Sequence, residues 1–257
     1  MSDNVKLQKE DSIARVWIDR PDKRNAMDVE TRAELREAFE DTVDDDDIRC
    51  IVMESRNGVF SSGGDLETYS EMPAHEALQF QIEHGQGLYN YVESIPKPTV
   101  AALDGYALGG GTEISLAFDF RIATPRTKMG TTEMNVGLYP GGGSVPRLMN
   151  MVGISKTKEL VLTGEVIDVE EAEELGLVHE VYEEDEFEER VQEFAAELAA
   201  KPPLTYQLAK ESINRAADME QAYFFDRPAT GFLFGTEDQK EGAMAFLEDR
   251  DPEFEGK

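Results

Sequence analysis

The chain has 257 residues, 40% of them hydrophobic, which is enough to bury a sizeable core in one large domain or one domain with a small appendage. Asp and Glu number 54 against 25 Lys and Arg, a net charge of −29, so the surface repels phosphate backbones and anionic membranes and argues against nucleic acid as a partner. The single cysteine, Cys50, excludes an internal disulfide and a cysteine-rich zinc site.

The polar start "MSDNVKLQKEDS" has no apolar signal core, and no apolar run is long enough to span a bilayer. A soluble, cytoplasmic protein is expected. The acid runs Asp44 to Asp47, Glu170 to Glu174 and Glu183 to Glu189 are spread along the chain. They suit a solvated acidic surface, and in sharper form adaptation to high salt, where counterions screen self-repulsion.

"SIARVWID" alternates well enough for a strand. "DVETRAELREAFEDTV" follows as a helix: Leu35, Ala38, Phe39, Thr42 and Val43 share a face, and Asp28 caps its start. "CIVMES" reads as a short buried strand carrying an inert Cys50 thiol. The glycine turn "RNGVFSSGGDLE" comes next, then a helix from near Ala74 to Tyr91, then a buried strand in "KPTVAALDGY". The glycines of "ALGGGTE" lead into a helical "GTEISLAF". "IDVEEAEELGLVHEV" is a helix-to-strand unit with Asp168 and Glu171 at capping-box spacing and Gly176 to close it. From about Glu186 the strand signals vanish. Three helical patterns follow, the first two punctuated by Pro202 and Pro203, and the third contains an apolar "FLFG". The order predicts an α/β core over 1–195 and a C-terminal helical region over 196–257, read as an oligomerisation region with burial in the core of the same chain as the equal alternative.

The three glycines at 109–111 lack the lysine of a P-loop and the spacing of a dinucleotide fingerprint. They do place free backbone N–H groups where a helix begins, a site able to hold an oxyanion. Glu113 follows in the first turn, where the helix dipole favours its charged form. The plainer alternative is a tight turn with a capping glutamate. "FSSGGDLE" offers a second donor loop, and Glu133 a second acid 20 residues after Glu113. Two carboxylates and two donor loops suit proton transfer beside a polarised carbonyl.

"DRPDKRNAMD", "FSSGGDLE", "KPTVAALDGYALGGGTE", "TEMNVGLYPGGG", "LTGEVIDVEEAEELGLVHEV" and "TEDQKEGAMAFLEDRDPEF" together resemble, in order, the signatures of the crotonase, or enoyl-CoA hydratase/isomerase, superfamily. The resemblance covers nearly the whole chain. It implies a spiral of ββα units with a C-terminal helical region, acyl-CoA thioester substrates, coenzyme A only as part of the substrate, and a homotrimer or hexamer. It puts the oxyanion donors on the N–H groups of Gly64 and Gly110 and the two hydratase acids on Glu113 and Glu133. It puts substrate and CoA contacts on Lys23, Arg24, Ala26, Ser62, Asp65, Leu66, Gly109, Pro140 and Gly141.

Isomerase members commonly lack the acid at position 113, so keeping both favours 2-enoyl-CoA hydration over Δ3-Δ2-enoyl-CoA isomerisation. Some members bind RNA, which the acidic surface opposes. Three features depart from the common pattern: Ser144, Val145 and Pro146 replace a Gly-Thr-Gln run, Thr131 and Thr132 precede the second acid, and Glu67 stands where a lysine often meets the CoA phosphates. Tyr69, Tyr139 and Phe60 are candidates for the acyl pocket, with ordinary core packing as the equal alternative. His75, His84 and His179 suit surface or packing roles. The sequence carries no metal-ligand cluster and no redox-cofactor motif.

Overall fold

The computed structural model describes residues 4–70, 72–215, 230, 232–233, 236–248 and 250–257. Among the described residues ten strands form two sheets. The larger contains β1 (Val5–Glu10), β2 (Ile13–Ile18), β3 (Cys50–Glu54), β5 (Thr99–Leu103), β7 (Phe120–Ala123) and β10 (Glu180–Val181), in that order. The smaller contains β4 (Val59–Ser61), β6 (Tyr106–Leu108), β8 (Lys128–Gly130) and β9 (Ile167–Asp168). The first and last ladders, β1–β2 and β8–β9, are antiparallel; the others are parallel.

The chain repeats one move three times. A buried strand of the large sheet is followed by a three-residue strand of the small sheet and then by a helical turn. β3 and β4 lead to α2 (Leu66–Ser70); β5 and β6 lead to α5 (Gly110–Ser115); β7 and β8 lead to a 3-10 turn over Thr132–Val136. This is the expected ββα spiral. Its consequence is positional: β4, β6 and β8 are parallel neighbours, so the segments leaving their carboxyl ends converge on one crevice.

β3 and β5 are buried at every residue, as strands covered on both faces must be. α1 (Val29–Val43) docks Leu35 and Phe39 into the main core, and Asp28 accepts the Thr31 N–H at 2.8 Å, as expected of its cap. The helix expected from Ala74 instead runs as α3 (Ala74–Phe80), a π turn over Gln81–Gly85 and α4 (Gln86–Ser94). α6 (Ser144–Thr163), not foreseen, is interrupted at Gly153. Asp168 caps α7 (Val169–Glu174) through the Glu171 N–H, but the box is not reciprocal, because the Glu171 carboxylate bonds Lys156 at 2.6 Å. Gly176 closes that unit at φ +73°.

The helices α8 (Phe187–Ala199), α9 (Pro203–Arg215) and α10 (Glu237–Glu248) complete the described C-terminal part. Lys210 of α9 reaches back to Asp119 at 2.9 Å. In "FLFG", Phe232 is exposed, and Phe234 and Gly235 lie outside the described residues. Cys50 is fully buried, and burial pushes its thiol up to about 12, so it stays a neutral apolar group. Among the described residues no helix is long and apolar enough to cross a membrane.

Candidate active site

The convergent crevice is a cavity of about 810 Å³, within the usual range of small-molecule sites. Its lining includes Gly64 after β4, Gly110 and Glu113 after β6, and Glu133 after β8.

Glycine is required where the donor loops meet. A Cβ on Gly63, at φ +99°, would lie 2.9 Å from both the Gly110 nitrogen and the Leu108 carbonyl. The loops therefore abut backbone to backbone. Gly64 forms a parallel bridge with Met27 through its neighbours: Met27 donates to Gly63 O at 2.7 Å, and Asp65 donates to Met27 O at 3.2 Å. That pattern turns the Gly64 N–H away from the bridge. Gly110 opens α5, so its N–H has no intrahelical acceptor. Two free amides thus flank the cavity from adjacent loops.

The acids occupy different surroundings. Glu113 is buried, and its Oε1 accepts the Gly142 N–H at 2.8 Å and the Ser144 hydroxyl at 2.9 Å. Burial raises its pKa, against the expectation from the helix dipole, and those hydrogen bonds partly oppose the rise. Both Glu133 carboxylate oxygens are buried with no hydrogen-bond partner among the described residues. Burial, then the Glu113 charge, push Glu133 up to about 7. The pair thus prefers one proton, on Glu133, and one charge, on Glu113. Gly109, at φ +52°, passes so close that a Cβ there would lie 3.3 Å from Glu133 Oε1.

Lys23, Arg24, Ala26, Ser62, Asp65, Leu66, Gly109 and Gly141 also line the cavity. Lys23 is held by Glu67 at 2.8 Å. The Asp65 carboxylate is already engaged, accepting the Glu67 N–H at 3.2 Å and facing Arg20 at 3.4 Å. Pro140 does not line the cavity; it is buried between Tyr139 and Gly141, which do. Phe60 is likewise a core residue, 1% exposed, because it points inward from β4, while Tyr69 and Tyr139 line the cavity as expected. His75 is exposed, and His179 accepts the Arg121 N–H and packs edge-on against Phe120. The His84 carbonyl accepts from Arg32.

Three contributors were not foreseen. Ser144 and Gly142 hold Glu113, and Arg32, only 4% exposed, lines the cavity beside Gly110. The departure at Ser144 therefore supplies the hydroxyl that supports the first acid.

An enoyl-CoA hydratase/isomerase family model matches residues 8–257. The chain is 35% identical over 255 residues to a crotonyl-CoA hydratase of Syntrophomonas wolfei, covering 98% of each chain. It is 34% identical over 250 residues to a short-chain-enoyl-CoA hydratase of Clostridium acetobutylicum, covering 96% of this chain and 95% of that one. Among solved structures, an enoyl-CoA hydratase from Bacillus anthracis superposes with a TM-score of 0.92 at 30% identity, covering 99% of this chain and all of that one.

Proposed function

The chain belongs to the enoyl-CoA hydratase/isomerase family, and from that premise we propose that it is a 2-enoyl-CoA hydratase, reversibly forming 3-hydroxyacyl-CoA. The observation that carries this reading is the unequal acid pair: Glu113 held charged by two donors, Glu133 bare and inclined to keep a proton.

The thioester oxygen sits between the Gly64 and Gly110 N–H groups. Water lies between the two acids. The Glu113 carboxylate takes a proton from the water as its oxygen bonds to C3. The C2–C3 π electrons shift toward the thioester, and the two amides hold the negative charge that develops on its oxygen. Each such donor contributes roughly 3–4 kcal/mol to transition-state stabilisation. Glu133 then delivers its proton to C2, and the enolate collapses to the 3-hydroxyacyl thioester. Proton exchange between the acids resets the pair. Lys23 and Arg24 at the mouth meet the CoA phosphates; Lys23 must leave Glu67 to do so.

Loss of the conjugated-enoyl absorbance on adding crotonyl-CoA tests the reading. No change there, with conversion of a 3-enoyl-CoA instead, assigns the chain to isomerisation. Self-association into a trimer or hexamer belongs to the same proposal. It is supported by exposed Met134, Val136, Met149, Ile154 and Leu162 on the 3-10 turn and α6, and the solution mass checks it.

A further inference from the structure

Among the described residues four arginines are buried: Arg15, Arg32, Arg121 and Arg147. Arg15 pairs with Glu54 at 2.6 Å and Arg147 with Glu93 at 2.8 Å. Arg121 spends its donors on the carbonyls of Leu177, Ser115 and Phe118. Arg32 differs. Among the described residues it has no carboxylate at ion-pair distance, in a chain with 54 acids to offer. Nη1 donates to the His84 carbonyl at 3.1 Å and the Tyr89 hydroxyl at 2.7 Å, Nη2 donates to the Tyr69 hydroxyl at 3.2 Å, and Nε is buried with no partner. A guanidinium keeps its charge in such a place, and among the described residues the only carboxylates acting on it are the active-site acids Glu113 and Glu133, beyond ion-pair distance.

Arg32 lines the cavity together with Tyr69, Tyr89 and Gln81. Its Nη2 lies 3.2 Å from where a Gly110 Cβ would stand, so the charge sits beside the oxyanion loop. This group has donors to spare. The Arg32 Nε–H is unused, the Tyr69 hydroxyl proton meets no acceptor among the described residues, and the Gln81 amide, on the π turn, makes no hydrogen bond among them. Nε–H and Nη2–H form the edge of guanidinium that grips a carboxylate with two bonds.

We propose that this group is an acyl-end subsite for a carboxylate, so that the substrate is an enoyl-CoA whose acyl chain carries a second carboxyl group, the monothioester of an unsaturated dicarboxylic acid. The inference rests on the hydratase reading for the reaction, but not for binding. The preceding reaction class is then α,β-dehydrogenation of a dicarboxylic monothioester or dehydration of its hydroxy form.

Binding of two saturated, unreactive thioesters to the folded chain tests this: glutaryl-CoA and its neutral isostere 5-methylhexanoyl-CoA. Their CoA charges are identical, so the difference reports the acyl end alone. Calorimetry is expected to show glutaryl-CoA bound at least about tenfold tighter, about 1.4 kcal/mol. Arg32→Met is expected to abolish the preference and Arg32→Lys to retain part of it. Equal or weaker binding of glutaryl-CoA to the unaltered chain overturns the subsite, with no variant required to fold. If glutaryl-CoA is preferred while neither crotonyl-CoA nor glutaconyl-CoA is hydrated, the hydratase reading fails and the subsite stands. If crotonyl-CoA is hydrated and glutaryl-CoA is not preferred, the subsite fails and the hydratase reading stands.

Discussion

Ser144→Ala tests how the charge on Glu113 is maintained. The Ser144 hydroxyl and the Gly142 N–H both donate to Glu113 Oε1, at 2.9 and 2.8 Å, while burial pushes that carboxyl up. Removing the hydroxyl deletes one hydrogen bond to a charged acceptor, worth about 1.5–3 kcal/mol. Without it, burial is less opposed and the Glu113 pKa should climb further. The sign follows from its role. Glu113 works as a carboxylate, so a higher pKa moves the acid limb of kcat/KM to higher pH. The alkaline limb, set by a protonated Glu133, stays or moves slightly down, because a neutral Glu113 no longer lifts its neighbour. Rates of crotonyl-CoA hydration from mildly acidic to mildly alkaline pH measure both limbs. A folded Ser144→Ala protein with an unmoved acid limb would refute the role given to this hydroxyl.

Glu113→Gln removes the base and should lower kcat for hydration by about 10²–10⁴, the usual contribution of a positioned base; near-normal turnover contradicts a two-acid reaction. Gly109→Ala places a methyl at φ +52° and 3.3 Å from Glu133 Oε1, so kcat should fall more than KM changes, as steady-state kinetics will show. Glu133 holds a proton in the fold up to about 7 against 4.5 unfolded. The folded state thus binds the extra proton between those values, and stability declines as pH rises through that window. Glu133→Gln should shrink that decline to the part due to the raised Glu113 and gain about 1–3 kcal/mol above it in denaturant unfolding; an unchanged slope counts against the raised pKa. The net charge of −29 predicts a higher Tm in molar KCl than in dilute buffer, and an equal or lower Tm rejects adaptation to high salt.

The sequence was most legible where the chemistry is local. Glycines followed by an acid mark the loop at 109–113, and "SSGGD" marks its counterpart, because close backbone approach needs glycine whatever surrounds it. The two buried strands that precede these loops were legible as apolar runs. The strands that aim the loops were not: β4, β6 and β8 have three residues each, too few for any periodicity to show. The π turn at Gln81–Gly85 was hidden inside one continuous helical pattern. Arg32 was hidden for another reason. It stands in an amphipathic helix rich in charge, where an arginine reads as solvent-facing, and its burial is decided by where Tyr69, Phe80 and Tyr89 settle after folding. Ser144 showed only as a departure from a familiar run, and its meaning required the 2.9 Å contact to Glu113. Pro140 and Phe60 mark the opposite limit, since proximity in sequence to cavity residues did not bring either one to the cavity wall.

The division of one proton between two carboxyls is measured most directly by infrared spectroscopy of the resting protein. Difference spectra taken on either side of neutrality should contain a protonated-carboxyl stretch that disappears as the pH rises through about 7, the value to which Glu133 is pushed. That band should be missing in Glu133→Gln and persist, titrating lower, in Glu113→Gln. A band kept by Glu133→Gln and lost in Glu113→Gln would place the proton on the wrong acid and contradict the account.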